Sequence, residues 1–252
     1  MIRLLALREL RSLFSMPSTW FALAVLQFIF AWFFLARLDA FLEIQPQLAQ
    51  LANPPGVTIT IAAPLFNTAA LLLMMLVPMF TMRLIAEERR SGTIEVLLTS
   101  PVTEGQVIAG KFLAALLFYV VLWLPTVIYV ALLKQHSSID LRPVAAGYVG
   151  VLLVGFLFLA VGTFTSTLTN NQLIAAILAF AALVGLFSIG LIEQLLVSSS
   201  WIRDALGYMN LWTHMDDYAK GIIDTRHVVY ELSVGLLFLF LAAKSLEVKK
   251  WR

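Results

Sequence analysis

The sequence contains no cysteine. That excludes disulfides, thiolate metal sites and cysteine nucleophiles, and it leaves the redox compartment open. Charge is scarce as well: Asp, Glu, Lys and Arg make up 13% of the 252 residues, where a soluble domain carries about a quarter. Net charge is only +2, and no basic block interleaved with aromatics offers a surface to nucleic acid. The chain has no low-complexity tract, no solenoid-period repeat and no separate soluble domain. What remains is 61% hydrophobic, with mean hydropathy +0.91, so water is not its main solvent. The whole chain, residues 1–252, reads as one integral membrane domain.

A helix needs about 20 apolar residues to cross the hydrocarbon core. Six runs with few or no charges approach that size: about Met16 to Ala36, Pro64 to Ile85, Phe112 to Leu133, Val144 to Leu168, Leu173 to Ile192, and Val228 to Leu246. The last has a short uncharged centre between Glu231 and Lys244, which are expected to reach the headgroups. The first is too long for a signal-peptide core and has no small-x-small cleavage site after it, so it reads as a retained span. Ahead of it, Arg8, Arg11, Ser12 and Ser15 share one helical face, and Leu7, Leu10 and Phe14 another. That pattern suits an interfacial amphipathic helix, or simply the polar entry to the first span.

Six crossings put both termini on one side. With the termini in the cytoplasm, Arg3, Arg8, Arg11, Arg83, Arg89, Arg90, Lys111, Lys244, Lys249, Lys250 and Arg252 lie inside. Only Arg37, Lys134, Arg142, Arg203, Lys220 and Arg226 lie outside, which is the bias of the positive-inside rule. The first outer loop, Leu38 to Ala63, contains the turn signal Asn53-Pro54-Pro55-Gly56. A second outer segment, Leu195 to His227, carries Trp201, Tyr208, Trp212 and Tyr218, spaced for short helices at the interface or dipping into it.

The inner connection between spans two and three is the most informative stretch. It reads Glu87-Glu88-Arg89-Arg90-Ser91-Gly92-Thr93-Ile94-Glu95-Val96-Leu97-Leu98-Thr99-Ser100-Pro101. Charges end span two, Ser91-Gly92 break it, and a one- to two-turn amphipathic helix follows, closed by Pro101. Thr103-Glu104-Gly105-Gln106 then reads as a capping box for span three. Ile94, Leu97 and Leu98 would offer an apolar contact between charged handles. The plainer reading is a charged loop that satisfies the topology rule.

This stretch resembles the inner-loop signature of ABC-2 type permeases: acidic pair, basic pair, Ser-Gly-Thr-Ile-Glu, a Leu pair, then Pro. Gly110-Lys111-Phe112, Ser166-Thr167-Leu168-Thr169-Asn170-Asn171-Gln172 and Gly221-Ile222-Ile223-Asp224-Thr225-Arg226 resemble the gliding-motility-associated branch. The nitrous-oxide-reductase-maturation permeases share the general pattern. Arg89-Arg90 stands where Lys-Lys is usual, with charge kept. The resemblance spans essentially the whole chain and implies an all-α fold of six transmembrane helices. It also implies that the short inner helix is a coupling helix docking on a separate ATPase. The coupling residues would then be Glu87, Glu88, Arg89, Arg90, Ser91, Gly92, Thr93, Ile94, Glu95 and Leu98. The implied assembly is a dimer with a second copy or a similar permease, carrying two cytoplasmic ATPase subunits in a bacterial inner membrane. A periplasmic accessory subunit would fit as well, and export is the implied direction of transport.

Other patterns carry less. Gly105-Gln106-Val107-Ile108-Ala109-Gly110-Lys111-Phe112 approaches a phosphate-binding loop, but Phe112 stands where a magnesium-binding hydroxyl is needed and no strand precedes it. ATP chemistry therefore belongs to a partner; catalytic, cofactor and metal residues are expected to be none in this chain. His214, Asp216, Asp217, Asp224 and His227 gather in the outer segment, either as a solvated loop or as oxygen and nitrogen ligands at a spacing that matches no known site. Glu193 reads as a headgroup-level carboxylate. Pro78 and Pro125 should kink their spans. The pairs Gly162/Ser166 and Ala146/Gly150 permit close helix packing. Ionisable residues are missing from the span centres, which weighs against an ion-coupled carrier, and no catalytic constellation at membrane depth suggests an intramembrane enzyme. The alternatives to an exporter are a mechanotransmitter, passing ATP-driven motion to a periplasmic partner, and, behind it, an ion-coupled membrane carrier.

Overall fold

The computed structural model describes residues 2–48, 50, 56–92, 103–137, 139–195 and 201–250. Among them every regular element is helical. In chain order they are α1 (Ile2–Ser15), α2 (Pro17–Leu48), α3 (Ala63–Thr81), α4 (Ala86–Ser91), α5 (Glu104–Trp123), α6 (Val127–His136), α7 (Leu141–Leu168), α8 (Gln172–Leu195), α9 (Trp201–Tyr208), α10 (Leu211–Ala219) and α11 (Thr225–Lys250). A π-helical turn, Thr58–Ala62, leads into α3, and a 3-10 turn, Leu124–Thr126, joins α5 to α6. Six stretches are long and apolar enough to cross a bilayer, as the sequence predicts.

The bundle is built around α7. Its apolar window is 67% buried, against 17% for α2 and 22% for both α8 and α11, so α7 is the axis and the other three face outward. Glycines let neighbours approach it closely. A Cβ on Gly147, Gly150, Gly155 or Gly162 would overlap Phe66, Tyr218, Tyr119 or Thr81 respectively. In lipid, where no hydrophobic force drives helices together, such close van der Waals contact is the main source of cohesion. The Gly162 and Gly150 packing read from sequence is found at both positions.

Several boundaries differ from the sequence expectation. α2 runs on to Leu48, so the outer loop begins later than Leu38: Arg37, Asp39 and Glu43 end the apolar run but are compatible with a helix. Of the turn signal at 53–56, only Gly56 lies within the described residues. Span two is not continuous to Ile85; α3 stops at Thr81, a turn covers 82–85, and α4 restarts at Ala86. Pro125 does break span three, at the 3-10 turn. α5 begins at Glu104 under a complete capping box. Thr103 Oγ1 accepts from the Gln106 amide, and Gln106 Oε1 accepts from the Thr103 amide.

α1 is a separate helix docked along α5. The face it buries centres on Ala6 and Leu13, with Leu5 against Gly110 and Phe14 edge-on to Phe118 at 5.3 Å. Leu4 and Leu7 stay exposed on its free side together with Arg8 and Arg11, the composition of a helix lying in a membrane interface.

The far end, opposite the termini, is closed by the segment before α11. α9 buries none of its residues, whereas α10 folds inward against α7, α3 and α8 and buries Leu211, His214, Met215, Tyr218 and Ala219. The outer aromatic segment therefore divides into one peripheral helix and one that is part of the bundle.

Candidate functional site

The signature stretch begins at the break between α3 and α4. An uninterrupted helix would bond the amides of Ile85 and Ala86 to the carbonyls of Thr81 and Met82. Ser166, near the end of α7, inserts there instead. Its Oγ accepts from both amides at 3.1 Å and donates to the Met82 carbonyl at 3.2 Å. A side chain inserted into the helical ladder accounts for the break. Thr81, whose own hydroxyl donates to the Val77 carbonyl, meets the open surface of Gly162 one turn before Ser166.

A second anchor is ionic. Lys111, on the third turn of α5, is buried, and its Nζ lies 2.9 Å from Glu9 Oε1 and 2.8 Å from Glu88 Oε1. One ammonium thus joins α1, α4 and α5. Taking the lysine out of water is costly, and two carboxylates at hydrogen-bond distance offset that cost. The same contacts dispose of the phosphate-loop pattern, because its lysine is already committed and its residues form continuous helix.

α4 itself is short and polar-ended. Glu87 and Glu88 occupy its first turn and Arg89 and Arg90 its last, matching the partial charges of the helix ends. Gly92 closes it in the left-handed region, φ 72°, with its amide bonded to the Arg89 carbonyl at 3.3 Å. Glu87, Arg90, Ser91 and Gly92 are exposed; Glu88 and Arg89 are half-buried. Between α1 and α4 lies a polar cleft of about 260 Å³, lined by Arg8, Glu9, Ser12, Arg83, Glu87 and Glu88 among others. Thr93, Ile94, Glu95 and Leu98, and with them the expected amphipathic turn, lie outside the described residues.

Sequence reasoning did not find Glu9, Lys111 or Ser166 as anchors. Lys111 sits eight positions beyond the Thr103 cap, deeper than a cation serving only to flank a span. Glu9 is the sole acid of α1. Those were the available signals, but their pairing spans 102 positions and has no local signature.

At the far end the expected His/Asp group is divided. Asp216 pairs with Lys220, and Asp224 caps the first turn of α11 through the Arg226 amide at 2.8 Å. Asp216 and its neighbour Asp217 together hold the Lys220 ammonium above its usual range, the Asp216 hydrogen bond being the largest cause. His214 is fully buried, stacked on His227 at 3.9 Å, and lies 3.4 Å from Glu231. No group of three such side chains among the described residues converges as a metal would require. Glu231 does not reach the headgroups as expected; it has no exposed surface, because His214 and Tyr218 of α10 lie against its carboxylate. Glu193 is likewise engaged: its Oε2 accepts from Asn210 Nδ2 at 2.7 Å, and Asn210 in turn caps α10.

Six apolar crossings, a glycine-packed axis and a charged helix braced at one end define a multi-pass membrane permease. Residues 4–210 match the family described as ABC-2 family transporter protein, and the chain belongs to that family. The chain is thus a membrane component of an ABC transporter, and its membership implies ABC ATPase partners. No curated protein matches it.

Proposed function

We propose that this chain is the non-catalytic permease subunit through which a separate cytoplasmic ATPase drives membrane helices, with the segment from Glu87 to Leu98 as the coupling element. The observation that carries the reading is the bracing of α4. Ser166 ties its first turn to α7, and Lys111 ties Glu88 to α5 and α1. A force applied to exposed Glu87, Arg90 and Ser91 therefore reaches three helices without a flexible intermediate. Charged residues would select the ATPase, and apolar Ile94 and Leu98 would anchor it.

In this reading residues 1–252 form a single transmembrane domain in a bacterial inner membrane, with both termini cytoplasmic. Two permease copies, or this chain with a similar permease, carry two ATPases, and closure of the ATPases rearranges the permease halves to export a solute. The sequence resemblance favours the gliding-motility-associated branch. A second reading has support in α7, which contacts α4 through Ser166 at one end and Tyr218 of α10 through Gly150 at the other. Such a rod would serve equally to pass motion to a periplasmic accessory subunit without translocation.

Co-purification with candidate ATPase subunits tests the assignment. Wild type should retain an ATPase, and Glu95→Arg and Gly92→Pro should each lose it while remaining folded. Retention by both variants, or no ATPase with wild type, overturns it.

A further inference from the structure

His214 on α10 and Glu231 on α11 are both without solvent exposure, and their facing atoms, Nδ1 and Oε1, are 3.4 Å apart. Among the described residues neither atom has another hydrogen-bond partner. The remaining atoms of the two groups fix the proton count. His214 Nε2 lies 3.2 Å from the Tyr208 carbonyl, an oxygen that only accepts, so Nε2 carries hydrogen. The Tyr218 hydroxyl donates to Glu231 Oε2 at 3.0 Å. A neutral imidazole then presents a lone pair at Nδ1. Opposite an ionised carboxylate, that arrangement would set two acceptors against each other around a buried charge with one hydrogen bond. Both features are expensive in a dry site.

One further proton removes both difficulties, whether it resides on Oε1 or on Nδ1. We infer that His214 and Glu231 form a buried proton-binding site, in which one exchangeable proton between Nδ1 and Oε1 fastens α10 to α11. Other polar and titratable groups surround the pair. His227 stacks on the His214 ring at 3.9 Å, and the Tyr230 ring stands edge-on at 5.5 Å. From α9 comes Tyr208, whose hydroxyl donates to the Arg226 carbonyl, and from the turn before α11 comes Asp224. Asp217 of α10 lies 3.9 Å from His227 Nε2. α8 contributes Glu193, held by Asn210, and α3 contributes Asn67 toward Asp216. α7 meets the cluster with the bare surface of Gly150 against Tyr218.

The consequence is a latch whose strength depends on pH. In the unfolded chain the histidine sheds its proton near pH 6.5 and the glutamate is already ionised. The folded pair needs its proton, so its stabilisation holds between about pH 4.3 and 6.5, where the unfolded chain carries one proton too, and declines as pH rises above that window. Proton loss leaves a buried carboxylate facing a lone pair and weakens the hold of α10 on α11, which then rests on the Tyr218 bond to Oε2.

The test compares thermal unfolding of the full chain in detergent with that of Glu231→Gln across pH 6 to 9. The glutamine amide donates to Nδ1 and its carbonyl accepts from Tyr218, so it mimics the protonated acid and has no proton to lose. Wild-type Tm should fall by about 3 °C per pH unit relative to the variant. Equal slopes overturn the inference. Should the variant not fold, histidine-selective nitrogen NMR of wild type decides, with the three rings assigned through His136→Gln and His227→Gln. The His214 Nδ1 resonance should show a bound or shared proton; a free lone pair at that nitrogen overturns the proposal. Neither readout involves an ATPase, so the latch and the transport reading fail separately.

Discussion

The hydroxyl of Ser166 on α7 caps α4 from another helix, accepting from the Ile85 and Ala86 amides at 3.1 Å each. The first amides of a helix have no intrahelical partner, and here the N-cap residue, Ile85, supplies none by side chain. Ser166→Ala leaves two buried amides and the Met82 carbonyl without this partner. The expected loss is about 1–3 kcal/mol, read as a lower Tm in detergent. Ser166→Thr, which keeps the hydroxyl, should lose less. If Ser166→Ala unfolds as wild type does, the cap does not hold the break.

Lys111 carries the ionic half of the brace. Lys111→Met should cost about 3 kcal/mol, because it removes the cation that neutralises two partly buried, like-charged carboxylates, Glu9 and Glu88. Adding Glu9→Gln and Glu88→Gln to that variant removes the repulsion and should recover most of the loss. Thermal unfolding of the single and triple variants decides the point, and a triple variant no better than the single contradicts it.

Gly155 faces the tip of the Tyr119 ring, whose hydroxyl donates to the Val151 carbonyl at 2.7 Å. A Cβ there has no room, so Gly155→Ala should destabilise by about 1–3 kcal/mol. Combining it with Tyr119→Ala should cost less than the two single losses added together, since the ring is the obstacle. Strict additivity would mean that α5 and α7 do not meet there.

Gly92 presents the opposite case. Its φ of 72° disfavours a side chain, yet among the described residues a Cβ would meet nothing within 4 Å. Gly92→Ala should therefore cost only about 1 kcal/mol of stability. Any larger effect on ATPase binding measures what the path of the chain after α4 contributes to docking.

Much of the architecture was legible because membrane physics writes it into local composition. Six apolar runs gave six helices, the Thr103 box gave the start of α5, and Pro125 gave a break. The glycine pairs marked close packing on α7. The sequence pattern misplaced the ends of α2 and the break in span two, since charged residues continue a helix readily and Ser166 acts from 80 positions away. It also treated Glu231 as a headgroup residue. The fold of α10 over that carboxylate, and the meeting of Glu9, Lys111 and Glu88, arise from tertiary pairing that no local periodicity encodes.

The absence of cysteine makes the central claim directly measurable. Glu95→Cys introduces a single thiol in the proposed coupling element, and Lys134→Cys introduces one near the opposite end of α6. A short thiol-to-amine cross-linker is applied to membranes containing each variant and the candidate ATPase. The account predicts a cross-linked permease–ATPase band from Glu95→Cys and none from Lys134→Cys. No band from Glu95→Cys, or an equal band from both, contradicts the coupling assignment.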